Sequence, residues 1–107
     1  MRKLYSLSLL FTVLTCQAVA GDSAASAALY KTKCAACHAA DGSGNSPIGK
    51  KLGVHDFRTP EVMKSSDELL LGVIVKGKNK MPSYEGKLSA DQLKSLVAYV
   101  RELGKSK

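Results

Sequence analysis

The sequence has 107 residues, so one domain is the default, and it sets sixteen basic against nine acidic residues for a formal net charge of +7. Nearly all of that positive charge is lysine, a strongly hydrated point charge rather than a planar fork. No aromatic and arginine residues interleave as they do in single-strand readers, so a nucleic-acid partner is excluded.

The first twenty residues read as a secretory signal peptide, with cleavage after Ala20. Arg2 and Lys3 supply the positive start, Leu4 to Leu14 is mostly apolar, and Ala18-Val19-Ala20 fits the small-x-small rule. An apolar run of this length falls well short of the ~20 residues a bilayer span needs. Cys16 offers a second reading, an acylated lipoprotein N-terminus. Thr15 precedes it, however, where Gly, Ala or Ser would be usual.

Residues 21–107 form the remaining domain. Fourteen basic and nine acidic residues give it a net charge of +5. It is small for a self-sufficient core, and domains of this size generally need a staple. Once Cys16 is removed with the leader, only Cys34 and Cys37 remain, so no separate disulfide framework is available.

Asp22 or Ser23 can cap a first helix rich in alanine that runs to about Lys33, with Leu29 and Tyr30 as its contacts to the fold. From Ala39 to Pro60 turn formers dominate and neither a helical nor an alternating pattern holds, so a long loop is expected. A structureless loop of that length must be packed by something. Ser65 with Glu68 forms a capping box that opens a second helix ending at Gly77. It is apolar nearly all round and should be well buried. A second capping box, Ser89 with Gln92, opens a last helix from Ala90 to about Leu103, stopped by Gly104. Its apolar face is Leu93, Leu96, Val97, Val100 and Leu103. No strand is convincing, so the fold class is all-α, with three or more helices joined by long loops.

The chemistry centres on Cys34-Ala35-Ala36-Cys37-His38, a C-x-x-C-H sequence that is the attachment signature of a c-type haem. Two thiols at this spacing can each form a thioether to a haem vinyl group, and the adjacent imidazole can ligate the iron. A thioredoxin-like redox pair would want a βαβ context, and a structural zinc site would want four ligands; neither is offered. With His38 on one side of the iron, Met81, His55 and Met63 are the candidates for the other. Met81 stands in the loop Gly77 to Tyr84, its backbone restricted by Pro82. Met63 reads as packing beneath the second helix, and His55 as a surface histidine of the Gly-rich loop.

The chain resembles the class I monohaem c-type cytochromes of the short bacterial kind. The matching positions are Leu29-Tyr30, Cys34-x-x-Cys37-His38, Asp41-Gly42-x-Gly44-x-x-Pro47, Lys80-Met81-Pro82-x-Tyr84 and Leu96-Val97-x-Tyr99-Val100. They span essentially all of residues 21–107. The resemblance implies a cytochrome c fold around one covalent haem c, with His38 and Met81 as axial ligands. It further implies that the Pro47 carbonyl accepts a hydrogen bond from the His38 ring, and that Tyr99 packs where the first and last helices cross. Ala39 departs from the pattern, standing where many relatives have Gly.

An iron closed on both axial sides has no position for substrate. The expected function is therefore one-electron outer-sphere transfer by a periplasmic or otherwise exported carrier, monomeric and not an enzyme. Redox proteins with acidic docking surfaces are the expected partners, steered by Lys50, Lys51, Lys76, Lys78, Lys80 and Lys87. Other readings stay open: a fixed haem subunit of a larger oxidase or dehydrogenase, or a haem peroxidase or gas sensor if Met81 is labile.

Overall fold

The computed structural model describes residues 21–105. The signal peptide, its cleavage after Ala20 and the lipidation reading of Cys16 lie outside these residues, and the side chains of Asp22 and Ser23, read as the cap of the first helix, are outside the description. Six helices follow in order: α1 (Gly21–Lys33), α2 (Ala35–His38), α3 (Pro47–Leu52), α4 (Pro60–Met63), α5 (Asp67–Lys76) and α6 (Ala90–Lys105). Among the described residues there is no sheet, only an isolated bridge between Lys78 and Met81, and no helix is long and apolar enough to cross a membrane. The all-α expectation holds.

Helix α6 is the spine. Its Leu93, Leu96, Val97 and Val100 are buried, and α1, α4 and α5 all pack on it. Its start is the reciprocal cap read from the sequence: Gln92 N–H donates to Ser89 Oγ at 3.1 Å, and Ser89 N–H donates to Gln92 Oε1 at 2.9 Å. Its end differs from expectation. The helix continues through Gly104 to Lys105. Gly104 is there for space: a Cβ would stand 2.5 Å from Met63 Sδ and 2.9 Å from the Phe57 carbonyl oxygen. Met63 is thus packed against α6 rather than beneath α5.

Helix α1 meets α6 through Tyr30, which is 2% exposed. The Tyr30 ring lies 5.0 Å from that of Tyr99 and 6.4 Å from that of Phe57. This is the crossing that the resemblance implied for Tyr99.

The loop from Ala39 to Pro60 is less structureless than its composition suggested. Ser46 caps α3, with Gly49 N–H donating to its side chain at 2.9 Å. Pro47 occupies the first turn and Gly53 closes the helix in the left-handed region (φ 66°). Pro60 likewise opens α4.

Helix α5 departs from expectation twice. Its cap is Ser66, whose Oγ accepts from Leu69 N–H at 3.1 Å, whereas Ser65 Oγ donates to the Glu61 carbonyl. Nor is the helix buried all round. Ile74 alone is buried, Leu70, Leu71, Val73 and Val75 are half-buried, and Leu69 is 58% exposed. The reason is that α5 packs on one neighbouring helix, α6, and has no second one to cover its other faces.

Candidate functional site

The cysteine segment follows directly from α1. Cys34 N–H donates to the Tyr30 carbonyl, and Cys37 and His38 N–H both donate to the Cys34 carbonyl. One short turn therefore carries both thiols and the imidazole. Cys34 and Cys37 are free thiols, both half-buried. Burial, with the Cys37 thiol beside it, pushes the Cys34 pKa up to about 11.

Loop 39–60 is laid against this segment. Ser46 Oγ lies 2.9 Å from the Ala36 and Cys37 carbonyl oxygens. Gly44 N–H donates to the His38 carbonyl at 2.8 Å. These bonds place Pro47 and α3 beside Cys37, and the two helices α2 and α3 are in contact. The His38 ring packs on Phe57, with ring centroids 4.8 Å apart and planes tilted by 31°. Burial holds the His38 pKa below the usual histidine range.

His38 Nδ1 is buried and makes no hydrogen bond. The bond to the Pro47 carbonyl implied by the resemblance is therefore not formed here, and the ring is instead placed by its stack on Phe57. A buried imidazole nitrogen without a partner costs free energy. Phe57 itself was not singled out from the sequence. The available signal was that it is the lone aromatic residue in a long polar loop.

The Met81 segment comes from the far end of α5. Met81 N–H donates to the Lys78 carbonyl at 2.9 Å, closing a tight turn in which Asn79 has φ 54°. Met81 is half-buried and packs against the core cluster, as do Cys34, Ala35 and Tyr84. Tyr84 Oη donates to the Lys33 carbonyl at 2.9 Å, just before the first cysteine. The Tyr84 pKa is raised by burial first, then by the Cys34 and Cys37 thiolates. The structure thus brings the Met81 segment to the cysteine segment.

His55 is not brought in. Its side chain is 67% exposed and faces Glu61, with Nδ1 3.8 Å from Oε2. Lys50, Lys51, Lys76, Lys78, Lys80 and Lys87 are all exposed.

These groups fit a haem. Cys34 and Met81 pack on the same core cluster as half-buried Leu70, Leu71 and Val75, and the short turn that begins at Cys34 carries the second thiol and an imidazole with an unpartnered buried nitrogen. Among the described residues no three His, Cys, Asp or Glu side chains gather to hold a bare metal ion.

Comparison with known proteins agrees with this chemistry. Residues 21–100 match the family model described as cytochrome c oxidase, cbb3-type, subunit III. The chain is 33% identical over 111 residues to a cytochrome c6 of Nostoc sp. (strain PCC 7120), covering 99% of this chain and 96% of the relative. It is 36% identical over 91 residues to a cytochrome c6 of Thermostichus vulcanus, covering 85% and 79%. Among solved structures, the KustC0563 c-type cytochrome superposes with a TM-score of 0.68 at 33% identity, over 75% of this chain and 98% of that one.

Proposed function

The chain belongs to the class I monohaem c-type cytochromes, and on that premise we propose that it is a periplasmic carrier whose haem iron is closed by His38 and Met81. That it is an electron-carrying protein with one covalently attached haem c, and not an enzyme, follows from its relatives and from the cysteine spacing.

When bound, the haem supplies a one-electron redox centre whose potential is set by axial ligands, hydrogen bonding and burial. The protein's residues do the rest. Cys34 and Cys37 hold the group by thioether bonds. His38, kept neutral by burial, offers a nitrogen to the iron. The other ring nitrogen then seeks an acceptor, and the Pro47 carbonyl, on the segment bonded to Cys37, is the group proposed to receive it. Met81, on a turn built on α5, would offer its thioether to the iron.

The observation that carries the reading is the Tyr84 hydroxyl on the Lys33 carbonyl, which joins the Met81 segment to the residue before Cys34. The ferric absorption spectrum of the holoprotein tests it. A thioether-ligated low-spin iron gives a weak far-red charge-transfer band, and Met81→Ala should abolish that band and open the iron to added ligands. A wild-type protein without the band would overturn the Met81 assignment.

The family model is described as an oxidase subunit, which keeps a fixed subunit in view. The relative from Nostoc, however, is matched over 96% of its own length under the name cytochrome c6, and that favours a free-standing carrier. The exposed lysines on the α3 and Met81 segments are the charges proposed to steer acidic redox partners. Electron-transfer rates with such a partner should fall as ionic strength rises.

A further inference from the structure

The Met81 turn is a protein-built unit. Gly77 ends α5 with φ 74°, and a Cβ there would stand 2.6 Å from the Met81 carbonyl oxygen and 2.9 Å from Ser83 N. Only glycine lets the turn lie this close to the helix end. Beyond Met81 the chain folds back onto carbonyls at the C-terminal end of α5, which have no partner within the helix. Ser83 Oγ donates to the Val75 carbonyl at 2.6 Å, Tyr84 N–H to Ile74 at 3.2 Å and Glu85 N–H to Val75 at 3.0 Å. All of these bonds fasten the turn to α5, and none reaches the cysteines.

Tyr84 Oη reaches further. Among the described residues it makes the one hydrogen bond between residues 77–85 and residues 33–38. It meets the carbonyl of Lys33, the last residue of α1. Its ring packs on the core cluster, so a side chain with few torsions delivers the hydroxyl. We propose that Tyr84 is a positioning residue, the tether that holds the prebuilt Met81 turn against the cysteine segment and sets how readily Met81 leaves the iron.

The proposal rests on Met81 as the second axial ligand. Loss of the hydroxyl should leave the turn intact on α5 while loosening its seat. A single neutral hydrogen bond corresponds to about fivefold in an equilibrium.

The test uses the intact ferric holoprotein, with cyanide as the competing ligand. Tyr84→Phe should bind cyanide about fivefold faster than wild type. Its Met81, Tyr84 and Glu85 amides should keep hydrogen-exchange protection within about twofold, because their acceptors on Lys78 and α5 are untouched. Arg101→Met is the control. It removes bonds to Asp67 and to the Met63 and Ser65 carbonyls, away from the turn, and should lower the melting temperature without changing the cyanide rate. An unchanged rate in Tyr84→Phe, or an acceleration matched by Arg101→Met, overturns the tether. Collapse of amide protection in Tyr84→Phe also overturns it, since the residue would then be building the turn rather than seating it. Absence of the far-red band from wild type is a separate result, which removes the ligand assignment and the tether's role at the iron together.

Discussion

Tyr30 Oη donates a 2.7 Å hydrogen bond to the carbonyl of Ala39, the residue immediately after His38. Ala39 stands at φ 65° and ψ 161°, a region that is almost exclusively glycine's. The buried tyrosine and the α2 backbone, to which Ala39 N–H donates at 2.9 Å, hold the chain there against the clash of its own Cβ. Such strain costs about 1–3 kcal/mol. Ala39→Gly should therefore stabilise the holoprotein by about that amount, less the entropy that glycine adds to the unfolded chain. Denaturant melts check it. Tyr30→Phe should destabilise and should reduce the benefit of Ala39→Gly, because it removes one of the restraints that impose the strain.

Two other glycines answer to opposite needs. A Cβ on Gly49 would stand 2.2 Å from the Cys37 carbonyl oxygen and 2.4 Å from that of Gly44. Both obstacles are backbone, so α3 would have to leave the cysteine segment. Gly49→Ala should cost about 3 kcal/mol, in the range of overpacking, and should lower the yield of haem-loaded protein. Gly72 lies inside α5, where a Cβ meets nothing within 4 Å. Gly72→Ala should stabilise by about 0.5–1 kcal/mol through helix propensity. Paired thermal melts would show the two substitutions moving in opposite directions.

Loop 39–60 should be the first part to loosen in acid. The Asp41 carboxyl is held below its ordinary value by hydrogen bonds from the Ser43 side chain and backbone. Asp56 is held down by Arg58, through its guanidinium and backbone N–H. Depressed folded values mean that the unfolded chain takes up protons first. The stability from these two carboxylates is therefore present above the unfolded value of 3.8 and is lost as pH falls through the lower folded values. Amide exchange at Ser43 and Arg58 should accelerate below about pH 4 before that of α6. Equal acceleration throughout would mean that the carboxylates hold the whole fold rather than the loop.

The features that could be read from sequence were those set by neighbours in the chain. The α6 cap of Ser89 and Gln92 and the buried face Leu93, Leu96, Val97 and Val100 are local patterns, and the fold preserves them. Helix α3 was legible in principle, since Ser46-Pro47 and Gly53 are start and stop signals, but the many glycines around them obscured it. Two serines in succession made the α5 cap ambiguous, and the fold selects Ser66. What sequence could not supply was set by distant contact. Gly104 reads as a stop until Met63 and Phe57 are found against it. Phe57 gains its role only from a ring, His38, that lies nineteen residues earlier. The same holds for Ala39, whose departure from the family pattern looks harmless until its backbone angles are known.

Removing the haem should remove much of the fold. The buried apolar residues among those described are Tyr30, Phe57, Ile74, Leu93, Leu96, Val97 and Val100. They lie where α1, α5 and loop 39–60 meet α6, leaving Leu70, Leu71, Val75 and Met81 only partly covered. At about 25 cal/mol per Å² of apolar surface, so few side chains cannot offset the conformational entropy of a domain this size. A covalently held, largely apolar ring would cover the remaining surface. The Cys34→Ala/Cys37→Ala double variant should therefore show weak helical circular dichroism and a broad, non-cooperative melt, whereas the holoprotein melts sharply. A haem-free double variant with a sharp transition at the holoprotein's temperature would mean that the helices around α6 are sufficient alone.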